Sequence, residues 1–246
     1  MAPTAPTEPK VGCCGLAGMS LSRYAEEFEV VELQSTFYRL PKPKTAKRWR
    51  ESVRSDFEFT MKVFQGVTHP VSSPTWRRAG SQKPEAGAEN YGYLKPTEEN
   101  FEAWKRSMEI CDLIDCKFCV VQLPPSFVNS DENVKNLEAF FSSVERSAAI
   151  GIELRHRSWF EDTGWTRIAK RLELVHIVDP FVRLPLYDLG ISYFRLHGLG
   201  KRPYAYRYSD EELERLSRLV KGMRGYVMFN NIHMREDAKR FLALMG

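Results

Sequence analysis

The chain lacks several features that would settle its function class at once. No apolar run approaches the roughly 20 residues of a membrane-spanning helix. The first ten residues, MAPTAPTEPK, contain no apolar stretch of the kind a secretory leader carries. There is no H-E-x-x-H ligand pair, no G-x-S-x-G around a nucleophilic serine, and no Cys–His pairing signal. A Gly-rich dinucleotide fingerprint is missing after the first strand-like segment. Charge of one sign is also scarce: 36 Lys and Arg stand against 32 Asp and Glu, a net +4. That balance permits an anionic partner without requiring one. These absences argue against a membrane protein, a zincin-type protease, an α/β-hydrolase and a nucleotide-binding Rossmann fold. The reading is a soluble, cytoplasmic protein. Residues 1–10, rich in Pro and Thr, form a disordered tail, and residues 11–246 form one domain.

What is present is an ordinary globular composition, 43% hydrophobic and 28% charged, in 246 residues. One α/β barrel takes about 250 residues. Strand-like and helix-like segments alternate along the chain. Strands are expected at 11–15, 30–35, 57–63, 118–123, 150–155, 174–179, 191–197 and 226–230. Helices are expected at 44–54, 98–114, 131–148, 165–171 and 210–221. Thr97 before Glu98-Glu99, and Ser209 before Asp210-Glu211-Glu212, mark helix starts. Eight strands with intervening helices predict a single (β/α)8 TIM-type barrel, irregular in the long loops after strands 3 and 7. Those loops, 64–96 and 198–208, rise from the face where barrel enzymes keep their sites.

Five cysteines are present, and Cys111, Cys116 and Cys119 have the spacing C-x4-C-x2-C. That spacing can mark an iron–sulfur or zinc site. The favoured reading is simpler: Cys119 lies in the apolar strand KFCVV as a small hydrophobe, and no fourth ligand is evident. A Cys111–Cys116 disulfide is a further, less favoured alternative.

Within the strands, apolar residues alternate with polar ones. Ile150, Ile152 and Leu154 share one face, and Gly151, Glu153 and Arg155 share the other. In a barrel the apolar phase packs against helices and the other points inward. The inward set becomes Glu32, Gln34, Thr60, Lys62, Gln122, Glu153, Arg155, Arg195, His197 and Asn230. Lys62, Arg155 and Arg195 form a candidate anion clamp, because guanidinium groups bind phosphate or carboxylate through paired hydrogen bonds. Glu153 either holds an arginine or serves as a general base. His197 suits proton transfer near neutral pH, with His69 and His156 as loop candidates. His176 falls on the helix-facing phase and reads as structural. Asp179, before Pro180, reads as a ligand or a capping acceptor. A divalent metal at Glu153, Asp179 and His197 with His69 or His156 is conceivable but disfavoured by three cations in the same funnel. Two loops interleave aromatics with positive charge: Arg77 and Arg78 in one, and Lys201, Arg202, Tyr204, Tyr206 and Arg207 in the other. Such surfaces suit DNA or RNA.

Several segments together resemble the YecE-like family, catalogued as domain of unknown function 72. They are VELQSTFYRLP (31–41), FEFTMKVFQGVTH (57–69), VVQLPPSF (120–127), IELRHRSWF (152–160), YFRLHG (193–198), YSDEEL (208–213) and VMFNN (227–231). The resemblance implies a TIM-type barrel. It puts a polar signature on Ser35, Thr36, Tyr38, Lys62, His69, Gln122, Glu153, Arg155, Arg195, His197 and Asn230. The sequence departs from the family at Gln34, where asparagine is usual, and at His156–Arg157, where a proline is common. The missing proline predicts a looser turn after strand five, and the short C-terminus predicts a truncated last helix.

The sequence therefore predicts an enzyme, of phosphoester-hydrolase type, acting on a small phosphate-bearing or other anionic substrate. Glu153, His197 and His69 are its expected catalytic residues. Lys62, Arg155, Arg195, Gln34, Gln122, Asn230 and Tyr38 are its expected binding residues. A non-catalytic nucleic-acid-binding protein is one rival, and a sugar or sugar-phosphate isomerase or hydrolase is another. No cofactor and no oligomeric state is implied.

Overall fold

A computed structural model of the protein describes residues 8–200 and 202–246. Eight parallel strands form one sheet in the order β6-β5-β4-β3-β2-β1-β8-β7. They are β1 (Lys10–Cys14), β2 (Val30–Leu33), β3 (Glu58–Lys62), β4 (Cys116–Gln122), β5 (Ala149–Glu153), β6 (Leu174–His176), β7 (Ser192–Leu196) and β8 (Gly225–Phe229). The ring is nearly closed: β6 and β7 meet only through the bridge Val178–Phe194, with the Arg195 N–H donating to the Val178 carbonyl at 3.0 Å. The helices are α1 (Leu21–Glu27), α2 (Ser35–Tyr38), α3 (Pro43–Glu51), α4 (Glu98–Leu113), α5 (Asp131–Ser143), α6 (Ser158–Glu161), α7 (Thr166–Arg171), α8 (Asp210–Val220) and α9 (Met234–Met245). The chain is a TIM-type barrel.

The caps form where the sequence places them. Thr97, Ser130 and Ser209 each accept a backbone N–H at the start of α4, α5 and α8, and Ser209 with Glu212 completes a capping box. Some boundaries move. Of the residues expected in the tail, Pro9 is buried and Lys10 opens β1 beside β8; residues 1–7 lie outside the described residues. The helix expected to reach residue 148 stops at Ser143, because the chain turns extended at Val144 to enter β5. The last helix, α9, runs twelve residues and buries Ala238 and Phe241 against the barrel. The long loop after β3 is packed, with Val67, Trp76 and Leu94 fully buried. Between β6 and β7 the described chain carries no helix. That gap leaves a cavity of about 600 Å³ lined by Val175, Tyr187, Ile191 and Met223.

The alternation expected from sequence is the one observed. Outward residues such as Val31, Phe59, Met61, Ile150, Ile152 and Leu196 join the large core under the helices. A smaller inner cluster fills the barrel with Val30, Phe118, Val120, Tyr193, Tyr226 and Met228. Phe118 lies stacked on Tyr193 at 4.4 Å between centroids and edge-on to Tyr226 at 5.8 Å. Gly151 makes room for it. A Cβ there would sit 2.5 Å from Phe118 Cζ and 2.7 Å from Ile177 Cδ1. The ring is clamped and has nowhere to move. Gly151→Ala is expected to cost about 1–3 kcal/mol. Thermal melting should show a midpoint lower by roughly 2–4 °C per kcal/mol. An unchanged midpoint would mean the inner layer is loosely packed.

Candidate active site

The C-terminal ends of the strands bring together the residues that alternation turned inward. Their centre is Arg195 on β7, with 1% of its side chain exposed. Its Nε donates to Glu32 Oε2 and its Nη2 to Glu32 Oε1, both at 3.0 Å. Nη1 reaches Glu153 Oε2, and Gln122 Oε1 at 3.1 Å, while Nη2 also faces the Cys14 sulfur. Tyr193 and Gln34 donate to the same Glu32 carboxylate, and Thr60 bonds Tyr193. A buried guanidinium with its fork given to two carboxylates has no donor left for an incoming anion. Arg195, expected in the clamp, is the organiser of the site instead.

One amide oxygen joins the cations. Gln122 Oε1 accepts from Arg155 Nη2 at 2.9 Å, Lys62 Nζ at 3.0 Å and Arg195 Nη1 at 3.1 Å. Lys62 also sits 3.9 Å from the centroid of Phe37, a cation–π contact. Burial, with help from Arg195, lowers the Lys62 ammonium to about 7. Glu153 is bound by Arg195 and by Arg155 Nε at 2.8 Å. Burial alone would raise its pKa, but Arg195 and Arg155 prevail and hold it well below the usual carboxylate range. Of the two roles expected for Glu153, holding an arginine and serving as a general base, the geometry matches the first: it is an ionised anchor. Three cations face two carboxylates, so the cluster carries one excess positive charge when Lys62 is protonated. Arg155, with 28% of its side chain exposed, brings that charge to the surface.

Above the cluster lies a cavity of about 380 Å³ lined by Glu153, Arg155, Asp179, Arg183, His197 and Tyr204, among others. His197 follows β7 directly. Its backbone N–H donates to Asp179 Oδ2 at 3.1 Å, and its Nδ1 lies 3.9 Å from the same oxygen. Its Nε2 is 3.5 Å from Arg155 Nη2 and 3.8 Å from Glu153 Oε1. Burial lowers His197 to about 4, so it is neutral at pH 7 with a lone pair to use. Burial raises the Asp179 carboxyl, which also accepts the Phe181 N–H. Sequence reasoning missed Arg183, whose guanidinium lies 3.3 Å from the Phe160 ring centroid at the cavity wall. The signal was the charged residues of VDPFVR, directly after a strand end.

Other expected residues fall at varying distance from this centre. His69 is buried, its Nδ1 bonded to Thr68 and its ring edge-on to Phe37, the ring that carries Lys62. Tyr38 is stacked under Arg78 at 3.6 Å. Asn230 is half-buried, and among the described residues no hydrogen bond ties its side chain to the cluster; its neighbour Asn231 bonds Asp237 instead. The turn after β5 is not loose, because His156 Nδ1 accepts from Ser158 N and pairs with its hydroxyl. His176 is packed among Phe160, Trp165 and Tyr187, as its phase predicts. Among the basic loop residues, Arg77, Arg78, Arg202 and Arg207 are exposed, and Arg207 faces Glu236 at 4.0 Å. Tyr206 bonds Glu212. Tyr204 is half exposed, with its ring edge-on to His197 at 5.8 Å. Lys201 lies outside the described residues. Among the described residues, Glu153, Asp179 and His197 do not converge tightly enough to share an ion; the group that does is Cys111, Cys116 and Cys119.

The family model described as "Protein of unknown function DUF72" matches residues 15–246. The chain belongs to this family. UPF0759 protein YunF of Bacillus subtilis (strain 168) is 26% identical over 244 residues, spanning 86% of this chain and 80% of YunF. Among solved structures, a DUF72 family protein of Enterococcus faecalis V583 superposes with a TM-score of 0.73 at 22% identity, covering 97% of this chain and 98% of that one. Another from Thermotoga maritima MSB8 gives 0.65 at 24% identity, over 97% and 99% of the two chains. These likenesses establish the family and the fold.

Three buried histidines make the DUF72 barrel acid-sensitive. Burial lowers His69 to about 3, and His176 and His197 to about 4, against 6.5 in an unfolded chain. As pH falls below 6.5 the unfolded chain takes up these protons first. The stability contributed is complete above 6.5 and is lost as pH falls towards 4. Each histidine adds a slope of up to about 1.4 kcal/mol per pH unit in that window. Urea midpoints should therefore drop steadily from pH 7 to pH 5, and His176→Phe should flatten the slope. A midpoint constant over that range would contradict neutral burial.

Proposed function

We propose that this barrel is an enzyme that binds a small substrate through its phosphate or carboxylate group and moves a proton on it. The observation that carries the reading is the half-buried Arg155 guanidinium, which lies at the cavity 3.5 Å from a neutral imidazole and belongs to a cluster that is net positive when Lys62 is protonated. Arg155 and Arg183 bind the anion from the cavity wall. His197, neutral at working pH and backed by Asp179, accepts the proton. Lys62 lies behind Arg155 on the same Gln122 oxygen and responds to the anion's charge. Phosphoester hydrolysis is the form of this chemistry that suits the cations best. His69 acts at most through Phe37. A sugar-isomerase reading asks for free paired carboxylates or a metal, and Glu153 is already held by two arginines. The five free thiols fit a cytoplasmic setting; no helix among the described residues is long and apolar enough to cross a membrane.

A nucleic-acid ligand is the second reading, favoured by one observation. A separate cleft of about 660 Å³ is lined by Arg39, Lys42 and Arg78 with Tyr38 and Trp49. It mixes positive charge with aromatic faces, as a polyanion site does.

Calorimetric titration with inorganic phosphate and with small carboxylates tests the main reading. Binding is expected, weakened at least about tenfold by Arg155→Met, since a charge-assisted pair is worth about 1.5–3 kcal/mol. Lys62, followed by NMR after reductive methylation, should rise by roughly one pH unit when the anion binds. On a phosphoester panel, His197→Ala should lower turnover by about 10²–10⁴ with the fold kept. No anion binding, or binding indifferent to Arg155, would overturn the reading. Salt-dependent DNA or RNA binding that survives His197→Ala would put the second reading in its place.

A further inference from the structure

At the opposite end of the barrel, three thiols face one another. Cys111 lies in the last turn of α4, Cys116 is the first residue of β4, and Cys119 follows three residues later. Their sulfurs all lie within 4.8 Å of one another, and those of Cys111 and Cys119 are 3.6 Å apart. All three are buried.

This meeting depends on a backbone irregularity. Strand residues three apart ordinarily face opposite ways. In β4, Phe59 of β3 pairs with Cys116 but Thr60 pairs with Phe118, leaving Lys117 as an extra, exposed residue. This β-bulge resets the alternation. Cys116 and Cys119 both turn outward towards α4, while Phe118 turns into the barrel. Cys111 arrives from the helix to complete the set.

We propose that Cys111, Cys116 and Cys119 bind one thiophilic d¹⁰ metal ion, Zn(II) or Cu(I), as thiolates. A metal–sulfur bond of about 2.3 Å requires sulfurs about 3.8–4.0 Å apart in tetrahedral or trigonal geometry. The Cys111–Cys119 separation of 3.6 Å falls just short of that range, and all three sulfurs lie within 4.8 Å of one another. Soft sulfur donors select these ions. The cluster sits by the carbonyl end of α4, with Asp112 and Asp115 adding negative potential at Cys111. Binding is non-redox: three sulfur–metal bonds form, three S–H bonds break, and three protons leave to solvent. The spacing suits one ion rather than a multi-iron cluster, which takes four thiolates. Along β4 the site lies about 10 Å (Cys119) to about 20 Å (Cys116) from Gln122, so it is structural and distinct from the anion cavity. It clasps α4 to β4.

The test uses the full chain, reduced and metal-free under inert gas. It is titrated with Zn(II), with Cd(II) as an absorbing stand-in, and with Cu(I) delivered from a competing chelator. Expected are uptake of one ion per chain, a thiolate charge-transfer band that saturates at one equivalent, and release of about three protons per ion. The thermal midpoint should rise with metal. The Zn(II) and Cu(I) arms identify the ion from their competition against chelators of known affinity. Cys111→Ala with Cys119→Ala should abolish the band. Proton release by the unaltered chain supplies the answer should that variant fail to fold. Three results would overturn the proposal: no uptake of any of the three ions, a band that persists in the folded double variant, or uptake without proton release.

Discussion

Everything at the active end of this barrel depends on Arg195 being neutralised. A guanidinium removed from water inside a ring of strands is costly, and removing one of its partners would leave the remainder uncompensated. Glu32 from β2 and Glu153 from β5 meet it from opposite sides, and Gln122 from β4 takes its remaining contact. Three elements distant in sequence are thereby held to one point. That ion pair fixes the Glu153 carboxylate, which orients Arg155, which in turn lies against His197. Arg155 and His197 are aimed into the cavity by a charge that does not itself line it.

The same burial divides the site's groups by protonation. The Glu153 carboxylate next to two guanidinium groups stays charged, whereas the imidazole and the ammonium lose their protons more easily than they would in water. A fold that keeps Lys62 near 7 and His197 neutral sets an uncharged imidazole beside the Arg155 and Arg183 guanidinium groups. The combination suits a reaction in which negative charge arrives with the substrate and a proton is removed from it.

Most of the scaffold was legible in the sequence because period-2 alternation fixes which residues face inward. The inward phase read from strands 3, 5 and 7 is the one found at Thr60 and Lys62, at Gly151 and Glu153, and at Tyr193 and Arg195. What alternation does not carry is partnership. Arg155 and Arg195 are the same residue type in the same phase. Only the location of Glu32 beside β7 across the barrel separates the buried organiser from the exposed clamp. Short helices were missed for a related reason: α2 and α6 span four residues each and leave no period to read. Arg183 was missed because it belongs to an irregular connection where a helix would ordinarily stand.

The bulge at Lys117 has a consequence for how such a site is encoded. The thiols converge because one extra backbone residue shifts the facing of everything before it in β4. Deleting Lys117 would leave Cys116, Phe118 and Cys119 in strict alternation, with Cys116 and Cys119 still on one face. Keeping Lys117 but flattening the bulge would instead turn Cys116 to the opposite face, away from its two partners, with every cysteine still encoded. The shared facing of the sulfurs therefore depends on the backbone at Lys117 as well as on the cysteines themselves.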